Sequence, residues 1–382
     1  SLPEYFRDQP DDARSHCRTP TIMIWWTLQQ LKSKNPESRR EAVEKLAEEH
    51  HPKAWEALVR CLQDDHAVVR QAAALALAKF PTERTVVALI PALRDPDACV
   101  RETAAAALRQ LPAAAAVDPL VALLSDPVYS VRTQAAKTLE ILHWDAPDDQ
   151  LRALKLVALG AYDKAVVCGT HAVDPLALTL EQGVYYQRQA AVEALSQIPD
   201  SRVIDLLLEA LKDKEEPVRT SAVEALRMIG DQRTAGPLVQ ALRDPHKHVR
   251  ALAAEARGQL GDPKAVESLL PVLDDKAWEV REATVVALGR LADRTSVVPV
   301  AERLRDPDRE VREAAAKVLG LIADPRAIGL LVLALKDPED VVRQAANHSL
   351  ALIDPQWPQT PEAQSVVPEL KAALKDQDYW VR

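Results

Sequence analysis

Histidine, cysteine and acidic side chains are the first residues to consider, because they supply most metal ligands and nucleophiles. Cys168 lies three residues before His171, and a thiol beside an imidazole could act as a nucleophile. In an alanine-rich segment we prefer a buried structural cysteine. Glu49–His51 and His246–His248 lack the i, i+4 spacing that puts two imidazoles on one helix face. Phosphate-binding glycine motifs are also missing, so we expect no catalytic residue, metal or cofactor.

Arginines at a regular spacing are the second candidate, since a row of guanidinium groups can bind phosphates. They recur every 31 residues, with 25 extra residues before Arg188 and 8 before Arg382. The series is Arg39, Arg70, Arg101, Arg132, Arg188, Arg219, Arg250, Arg281, Arg312, Arg343 and Arg382. Nine of them have an aspartate six residues earlier; the exceptions are Ser33 and Gln182. Because nearly every arginine has its own acid, a ladder of structural ion pairs is the preferred interpretation.

The residues around each arginine predict a pair of helices. The aspartate reads as an N-cap and the proline that often follows it as the first helical residue. Valine, paired alanines and a leucine seven residues after the arginine then form an apolar stripe at helical spacing. One such pair cannot bury its apolar face alone. The sequence therefore predicts an all-α fold, a right-handed α-solenoid of about eleven helix-pair repeats, the last incomplete.

Composition narrows the classes of function. The chain has 382 residues, 47% apolar and 27% charged, and its net charge of −9 has the wrong sign for a nucleic-acid binder. The apolar stretch Ile22–Leu28 is too short to span a bilayer. The four cysteines form no C-x-x-C pair. We expect a reduced, cytoplasmic monomer that binds neither nucleic acid nor membranes, although a secreted protein with a removed signal remains the alternative.

The 31-residue unit, with Asp, Val-Arg, Ala-Ala and Leu at fixed offsets, resembles HEAT repeats of the phycobilisome-lyase-like type over residues 22–382. His143–Leu180 is similar to a helical insertion found in some members. The resemblance implies that the helix carrying Val-Arg lines a concave face. Members include interaction scaffolds, bilin lyases and iron-dependent hydroxylases that use His-Glu dipeptides as ligands. The sequence contains no His-Glu dipeptide.

Aromatic residues are concentrated at the start of the Val-Arg helices. Tyr and Trp are frequent anchors of protein interfaces. The alternative is that the rings pack on the turns between repeats. Three residues before the arginine stand Tyr129, Tyr185, Trp278 and Tyr379, and two residues before it stand Tyr186, His248 and Trp380. We expect Tyr129, Tyr185 and Tyr186 to form one cluster that contacts a partner.

Glutamates occupy two further positions on the same helices. Five residues after the arginine stand Glu193, Glu224 and Glu255, with Glu44 near the start of the chain; one residue after it stand Glu102, Glu282 and Glu313. Together they predict an acidic strip suited to a basic protein or peptide. The alternative is a solvated face paired internally with Lys247, Arg290, Arg309 and Lys317.

These patterns lead to a first choice of function. We expect residues 1–21 to be disordered and 22–382 to form the solenoid, with a helical insertion at about 143–170 and a proline-rich one at about 354–362. The chain stops at its eleventh arginine, so we expect the natural protein to continue. The predicted function is a non-catalytic scaffold that binds a protein or peptide on the concave face. Bilin-lyase-like tetrapyrrole binding is the alternative, followed by an iron-dependent hydroxylase.

Overall fold

The structure is a computed structural model that describes residues 20–48, 52–262 and 264–373. Most of the segment predicted to be disordered, and the predicted contact residues Tyr379 and Trp380, lie outside these ranges. The first described helix begins at Pro20, and the predicted domain boundaries stay a prediction. The chain divides into two compact units, Ser1–Pro175 and Leu176–Arg382.

The first unit is built from short helices joined by tight turns. Its helices are α1 (Pro20–Gln30), α2 (Pro36–Leu46), α3 (Pro52–Cys61), α4 (Ala67–Leu77), α5 (Glu83–Leu89), α6 (Ala98–Leu108), α7 (Val117–Ala122), α8 (Tyr129–Ile141), α9 (Asp149–Ala158) and α10 (Tyr162–Ala165). The boundary between the units falls within α11 (Val173–Gln182). Helices α9 and α10 and the 3₁₀ turn Val166–Ala172 occupy the predicted insertion.

The second unit repeats the same helix pair. Its helices are α12 (Tyr185–Leu195), α13 (Arg202–Ala210), α14 (Glu216–Ile229), α15 (Ala235–Ala241), α16 (Lys247–Leu260), α17 (Ala265–Leu269), α18 (Trp278–Leu291), α19 (Val297–Glu302), α20 (Arg309–Ile322), α21 (Ile328–Ala334), α22 (Asp340–Ile353) and α23 (Pro361–Ala373). The described residues contain helices and turns but no strand. Within each unit successive Val-Arg helices pack side by side, which confirms the all-α solenoid.

The predicted helix start is wrong by two residues. Helix α4 begins at Ala67 with His66 as its N-cap, whereas the predicted N-cap was Asp64. Asp64 instead lies in the preceding turn, where its carboxylate accepts a hydrogen bond from the backbone N–H of His66 at 2.9 Å. The proline that follows the aspartate in other repeats is therefore a turn residue. An aspartate that bonds its own backbone two residues on favours such a turn over a helix end.

The aspartate and arginine form the predicted ladder, with a defined register. Arg219 donates from Nε and Nη2 to the two carboxylate oxygens of Asp244, 25 residues later, at 2.7 and 3.0 Å. Its Nη1 donates to the backbone carbonyl of Asp213, six residues earlier, at 2.8 Å. The same paired bond joins Arg39–Asp64, Arg70–Asp95, Arg101–Asp126, Arg188–Asp213, Arg250–Asp275, Arg281–Asp306 and Arg312–Asp337. Each of these guanidinium groups already donates to an aspartate of the protein, so the structure does not support phosphate binding by them.

A column of three glycines brings Val-Arg helices of the second unit into close contact. Gly258, Gly289 and Gly320 each stand eight residues after a ladder arginine. A methyl group on Gly258 would lie 2.6 Å from the Cα of Ala287, and one on Gly289 would lie 2.7 Å from a methyl of Val318. Each glycine therefore permits an approach of neighbouring helices that a side chain would prevent.

Replacing Gly258 with alanine is expected to lower the free energy of unfolding by about 1–3 kcal/mol, because the new methyl meets backbone atoms that cannot rotate away. Gly236 is the matched control, since it is also helical and a methyl there meets nothing within 4 Å. Gly236→Ala should be neutral or stabilising by up to about 1 kcal/mol. Urea unfolding of both variants measures the difference, and equal effects would contradict the close approach.

Arg257 stands where nine other repeats have leucine. A guanidinium in an apolar layer is expected either to reach solvent or to pair with an acid. The residue is 2% exposed, and its only described ion pair is a long one, 3.4 Å from Nη2 to Asp262. Nε and Nη1 are buried without a hydrogen-bond acceptor. The guanidinium is therefore held within the helix layer with most of its donors unsatisfied.

Candidate functional site

The predicted aromatic contacts divide into two groups. Tyr129, at the start of α8, is half-buried and lies beside its own Arg132, whose guanidinium carbon is 5.6 Å from the ring centre. Trp278, at the start of α18, is half-buried and packs against the core of the second unit. Packing within their own repeats is enough to explain the positions of these two rings, and their contact with a partner stays a prediction.

Tyr185, Tyr186 and His248 are the exposed members of the set. Tyr185 and Tyr186 open α12, are 49% and 60% exposed, and meet edge to face with ring centres 5.6 Å apart. His248 is the second residue of α16 and is exposed as well. The predicted cluster of both tyrosines with Tyr129 would combine residues of the two units, and it stays a prediction. The tyrosine pair alone is an exposed aromatic patch of the second unit.

The acidic strip of the second unit consists of Glu193, Glu224, Glu255, Glu282 and Glu313, carried by α12, α14, α16, α18 and α20 in that order. Glu193 accepts a hydrogen bond from Ser221 of the next helix at 3.3 Å. The residue five positions after one ladder arginine thus lies near the residue two positions after the next ladder arginine. Although the glutamates change position after Glu255, Glu282 lies close enough to both Glu255 and Glu313 for their charges to act on it.

Glu44 and Glu102 belong to the first unit and are engaged locally. Glu44 pairs with Arg40 on the same helix. Glu102 accepts a hydrogen bond from Ser130 at 2.7 Å. These two glutamates are far in sequence from the acidic strip of the second unit, which has five members.

Internal cations neutralise only part of the strip. Glu224 is paired with Arg227 and Glu313 with Lys317. Glu193 receives its bonds from neutral donors, Gln189 and Ser221. Lys247 and Arg309, which the alternative interpretation assigned to the strip, instead pair with Glu279 and Glu310.

Glu255 and Glu282 have no hydrogen bond or ion pair within the described part of the chain. Glu282 is half-buried. Burial raises the pKa of Glu282, and the neighbouring carboxylates Glu310, Glu255 and Glu313 raise it further; Lys317 lowers it only in part. Because repulsion between like charges disfavours the ionised form, a cation placed beside Glu282 would relieve an unfavourable interaction already present in the fold.

A groove of about 420 Å³ adjoins Glu282, between α18 and α20. Its apolar lining comes from Val286, Gly289, Ala314, Val318 and Leu321, and the last of these is 70% exposed. Its charged lining consists of Glu282, Glu310, Glu313, Arg290 and Lys317. The strip thus borders an exposed apolar surface, a combination that suits a partner with both basic and apolar side chains.

The nucleophile considered from the sequence is not assembled. Cys168 is buried, and burial raises the pKa of its thiol, which disfavours the reactive thiolate. His171 is exposed on the same turn. Within residues 20–48, 52–262 and 264–373 no three His, Cys, Asp or Glu side chains are grouped to hold a metal ion. No helix in the same ranges is long and apolar enough to cross a membrane.

The repeat matches a known family model. The model is described as HEAT repeats and matches residues 26–109, 86–167, 173–244, 234–304 and 267–351. The chain belongs to the HEAT-repeat family. This HEAT-repeat chain has no match among the curated proteins.

Three solved structures illustrate what this HEAT-repeat chain is similar to. An engineered protein is 21% identical, with 86% of this chain and 98% of that chain covered and a TM-score of 0.40. Importin beta is 15% identical over 92% of this chain and 58% of that chain, with a TM-score of 0.42. Human deoxyhypusine hydroxylase in complex with glycerol is 23% identical over 79% of this chain and 96% of that chain, with a TM-score of 0.30. At these values none of them indicates a function for this chain.

Proposed function

We propose that this HEAT-repeat protein is a non-catalytic scaffold whose acidic strip binds a basic segment of a partner protein or peptide. The observation that carries the proposal is the unpaired acidic patch at Glu255 and Glu282. A half-buried carboxylate among other carboxylates costs free energy unless a cation approaches it. A basic partner supplies that cation, and complementary charge also guides its approach.

The charge balance of the variable positions on the Val-Arg helices supports the same partner, and the balance stays negative when Arg227 and Arg343, which lie outside these positions, are counted against Glu224 and Asp340. We count the six variable positions of each Val-Arg helix from α12 to α22, which are three and two residues before the arginine and one, two, five and nine after it. They hold nine carboxylates and four cations. The carboxylates are Glu193, Glu216, Glu224, Glu255, Glu279, Glu282, Glu310, Glu313 and Asp340; the cations are Lys247, Arg290, Arg309 and Lys317. The surplus is negative, as a face that binds a basic segment requires.

The narrower family placement remains part of the proposal. The 31-residue period supports a relationship to phycobilisome-lyase-like HEAT repeats, and tetrapyrrole binding is the alternative function that this relationship brings. Incubation with a bilin, followed by removal of the free pigment, distinguishes the two. A protein that binds the tetrapyrrole retains visible absorbance, and a scaffold that does not bind it retains none. The proposal also takes the protein to be a cytoplasmic monomer.

Reversing two charges of the strip tests the proposal. Glu255→Lys with Glu282→Lys is expected to weaken binding of a fluorescent oligolysine peptide by about tenfold or more, equivalent to about 1.4 kcal/mol. The reason is that both substitutions replace attraction by repulsion at the least neutralised point of the strip. Fluorescence anisotropy at low ionic strength measures the affinity.

The control variant changes the net charge equally but elsewhere. Glu267→Lys with Glu302→Lys alters two exposed glutamates on α17 and α19, outside the Val-Arg layer. It should retain most of the affinity. An equal loss in both variants would mean that oligolysine senses only the net charge of the protein, and the strip would not be a binding site.

Replacing Tyr185 and Tyr186 together with alanine is expected to weaken partner binding while leaving the melting temperature nearly unchanged. Both rings are largely exposed, so their removal costs little packing, whereas aromatic anchors contribute about 2 kcal/mol or more at an interface. Differential scanning calorimetry and a pulldown with the natural partner measure the two effects. A melting temperature lower by several degrees would identify the rings as packing groups.

A further inference from the structure

The groove between α18 and α20 is more specific than the strip that it borders. Its apolar floor is formed by Val286, Ala314, Val318 and Leu321, and glutamates stand at one end. A surface that served only to attract positive charge would not need an exposed leucine, since Leu321 gains nothing from a solvated cation. The groove can therefore accommodate a group with an apolar body and a charged tip.

Charge is unevenly distributed along the groove. Glu282 and Glu310 lie toward the beginnings of α18 and α20, whereas Arg290 lies eight residues after Glu282, or about 12 Å along the helix. Lys317 is already held by Glu313 at 2.6 Å, and Glu310 is bonded to Arg309 at 3.0 Å. Among the carboxylates of the groove, Glu282 is the one that forms no ion pair or hydrogen bond with the described residues.

We propose that this groove holds the side chain of a lysine from the partner protein, with its ammonium group at Glu282 and its aliphatic stem on Val286, one turn further along α18. This inference rests on the proposed function and adds to it a preferred side chain. Lysine buries its methylene stem along apolar surface while its charge stays at the rim. Its compact ammonium can donate to separate carboxylates on several sides, whereas the planar guanidinium of arginine suits one carboxylate bound by two parallel bonds.

Two peptides of equal charge test the contribution of the stem. Oligolysine and an oligomer of 2,4-diaminobutyrate of the same length carry the same ammonium groups, but the latter has two fewer methylenes per side chain. The groove predicts that the wild-type protein prefers oligolysine by about threefold or more, because the short stem cannot cover the apolar floor. Calorimetric titration at constant ionic strength measures both affinities.

Two variants locate the preference in the groove. Glu282→Gln should weaken oligolysine binding about three- to tenfold, and Glu193→Gln, which removes a charge of the strip outside the groove, about twofold at most. Val286→Thr leaves the charge and the side-chain shape nearly unchanged and should reduce the preference for oligolysine, because a hydroxyl replaces part of the apolar surface under the stem. Val286 is only half-buried, so the variant is compatible with folding, and circular dichroism verifies it.

The outcomes separate the lysine site from the general proposal. Equal affinity for the two peptides, or equal effects of Glu282→Gln and Glu193→Gln, overturns the lysine site but leaves a strip that attracts basic segments through charge alone. A preference that is unchanged in Val286→Thr also overturns the site. Failure of the wild-type protein to bind either peptide overturns both the site and the proposed function.

Discussion

Replacing Asp244 with alanine is expected to lower the free energy of unfolding by about 3–5 kcal/mol, because removing one partner of a buried ion pair leaves the other charge uncompensated. Asp244 accepts two hydrogen bonds from Arg219, and both side chains are less than 10% exposed. In the variant Arg219 retains only its bond to the carbonyl of Asp213. Urea unfolding followed by circular dichroism measures the loss.

The control for Asp244 is an ion pair that the solvent already screens. Glu209 near the end of α13 and Lys212 in the turn that follows are more than 70% exposed, and their side chains lie 2.8 Å apart. Glu209→Ala should change the free energy of unfolding by less than about 1 kcal/mol. If both variants lost the same small amount of free energy of unfolding, the ladder would not contribute to the stability of the stacked repeats.

Acid should reproduce the effect of Asp244→Ala in the wild-type protein. Burial acts to raise the pKa of Asp244, but the hydrogen bonds from Arg219 and from the backbone N–H of His246 outweigh it and the pKa is lowered. Asp64, Asp95, Asp213 and Asp275 are lowered in the same way. Their contribution to stability is complete above the ordinary aspartate pKa of about 3.9 and is lost as the pH falls through the lowered folded-state values.

Replacing Arg257 with leucine is expected to raise the free energy of unfolding by about 2–4 kcal/mol. The change relieves two buried donors that have no acceptor and restores an apolar side chain to the core. Solenoid stability is a sum of local and nearest-neighbour terms, so the gain should be concentrated in one repeat. Amide hydrogen exchange measures this local stability. In the wild type the amides of residues 244–261 should exchange faster than those of the repeat that contains α20. In the variant the exchange of residues 244–261 should be slower than in the wild type.

Arg243→Leu is the matched control for Arg257. Arg243 is exposed, so its replacement should change stability by less than about 0.5 kcal/mol. A destabilised Arg257→Leu, or equal protection of residues 244–261 and the α20 repeat in the wild type, would mean that the 3.4 Å contact with Asp262 is a stronger ion pair than its geometry indicates.

The sequence predicted the stack and the ladder because both depend on residues repeated at a fixed period. It misplaced the helix starts, since aspartate followed by proline is typical of a helix N-terminus as well as of a turn. The bond from Asp64 to the N–H of His66 depends on backbone geometry that the residue types leave undetermined. The period also contained the glycine column at Gly258, Gly289 and Gly320, a signal that the sequence reasoning missed.

The candidate site was predictable only in part. Helical spacing placed the glutamates on one layer, but it could not tell that Lys247 and Arg309 pair with Glu279 and Glu310 while Glu282 is left unpaired. Nor could it separate Trp278, which packs on the core, from Tyr185 and Tyr186, which are exposed. These differences depend on how far each side chain reaches across to the neighbouring helix.

The most direct test of the proposed function is the salt dependence of peptide binding by the wild-type protein. Titration with fluorescent oligolysine and with oligoglutamate is carried out at low and at physiological ionic strength. The acidic strip predicts that oligolysine binds, that its affinity falls clearly as salt screens the attraction between the peptide and the carboxylates, and that oligoglutamate does not bind. An oligolysine affinity that is unchanged by salt, or equal binding of the two peptides, would contradict the proposed function.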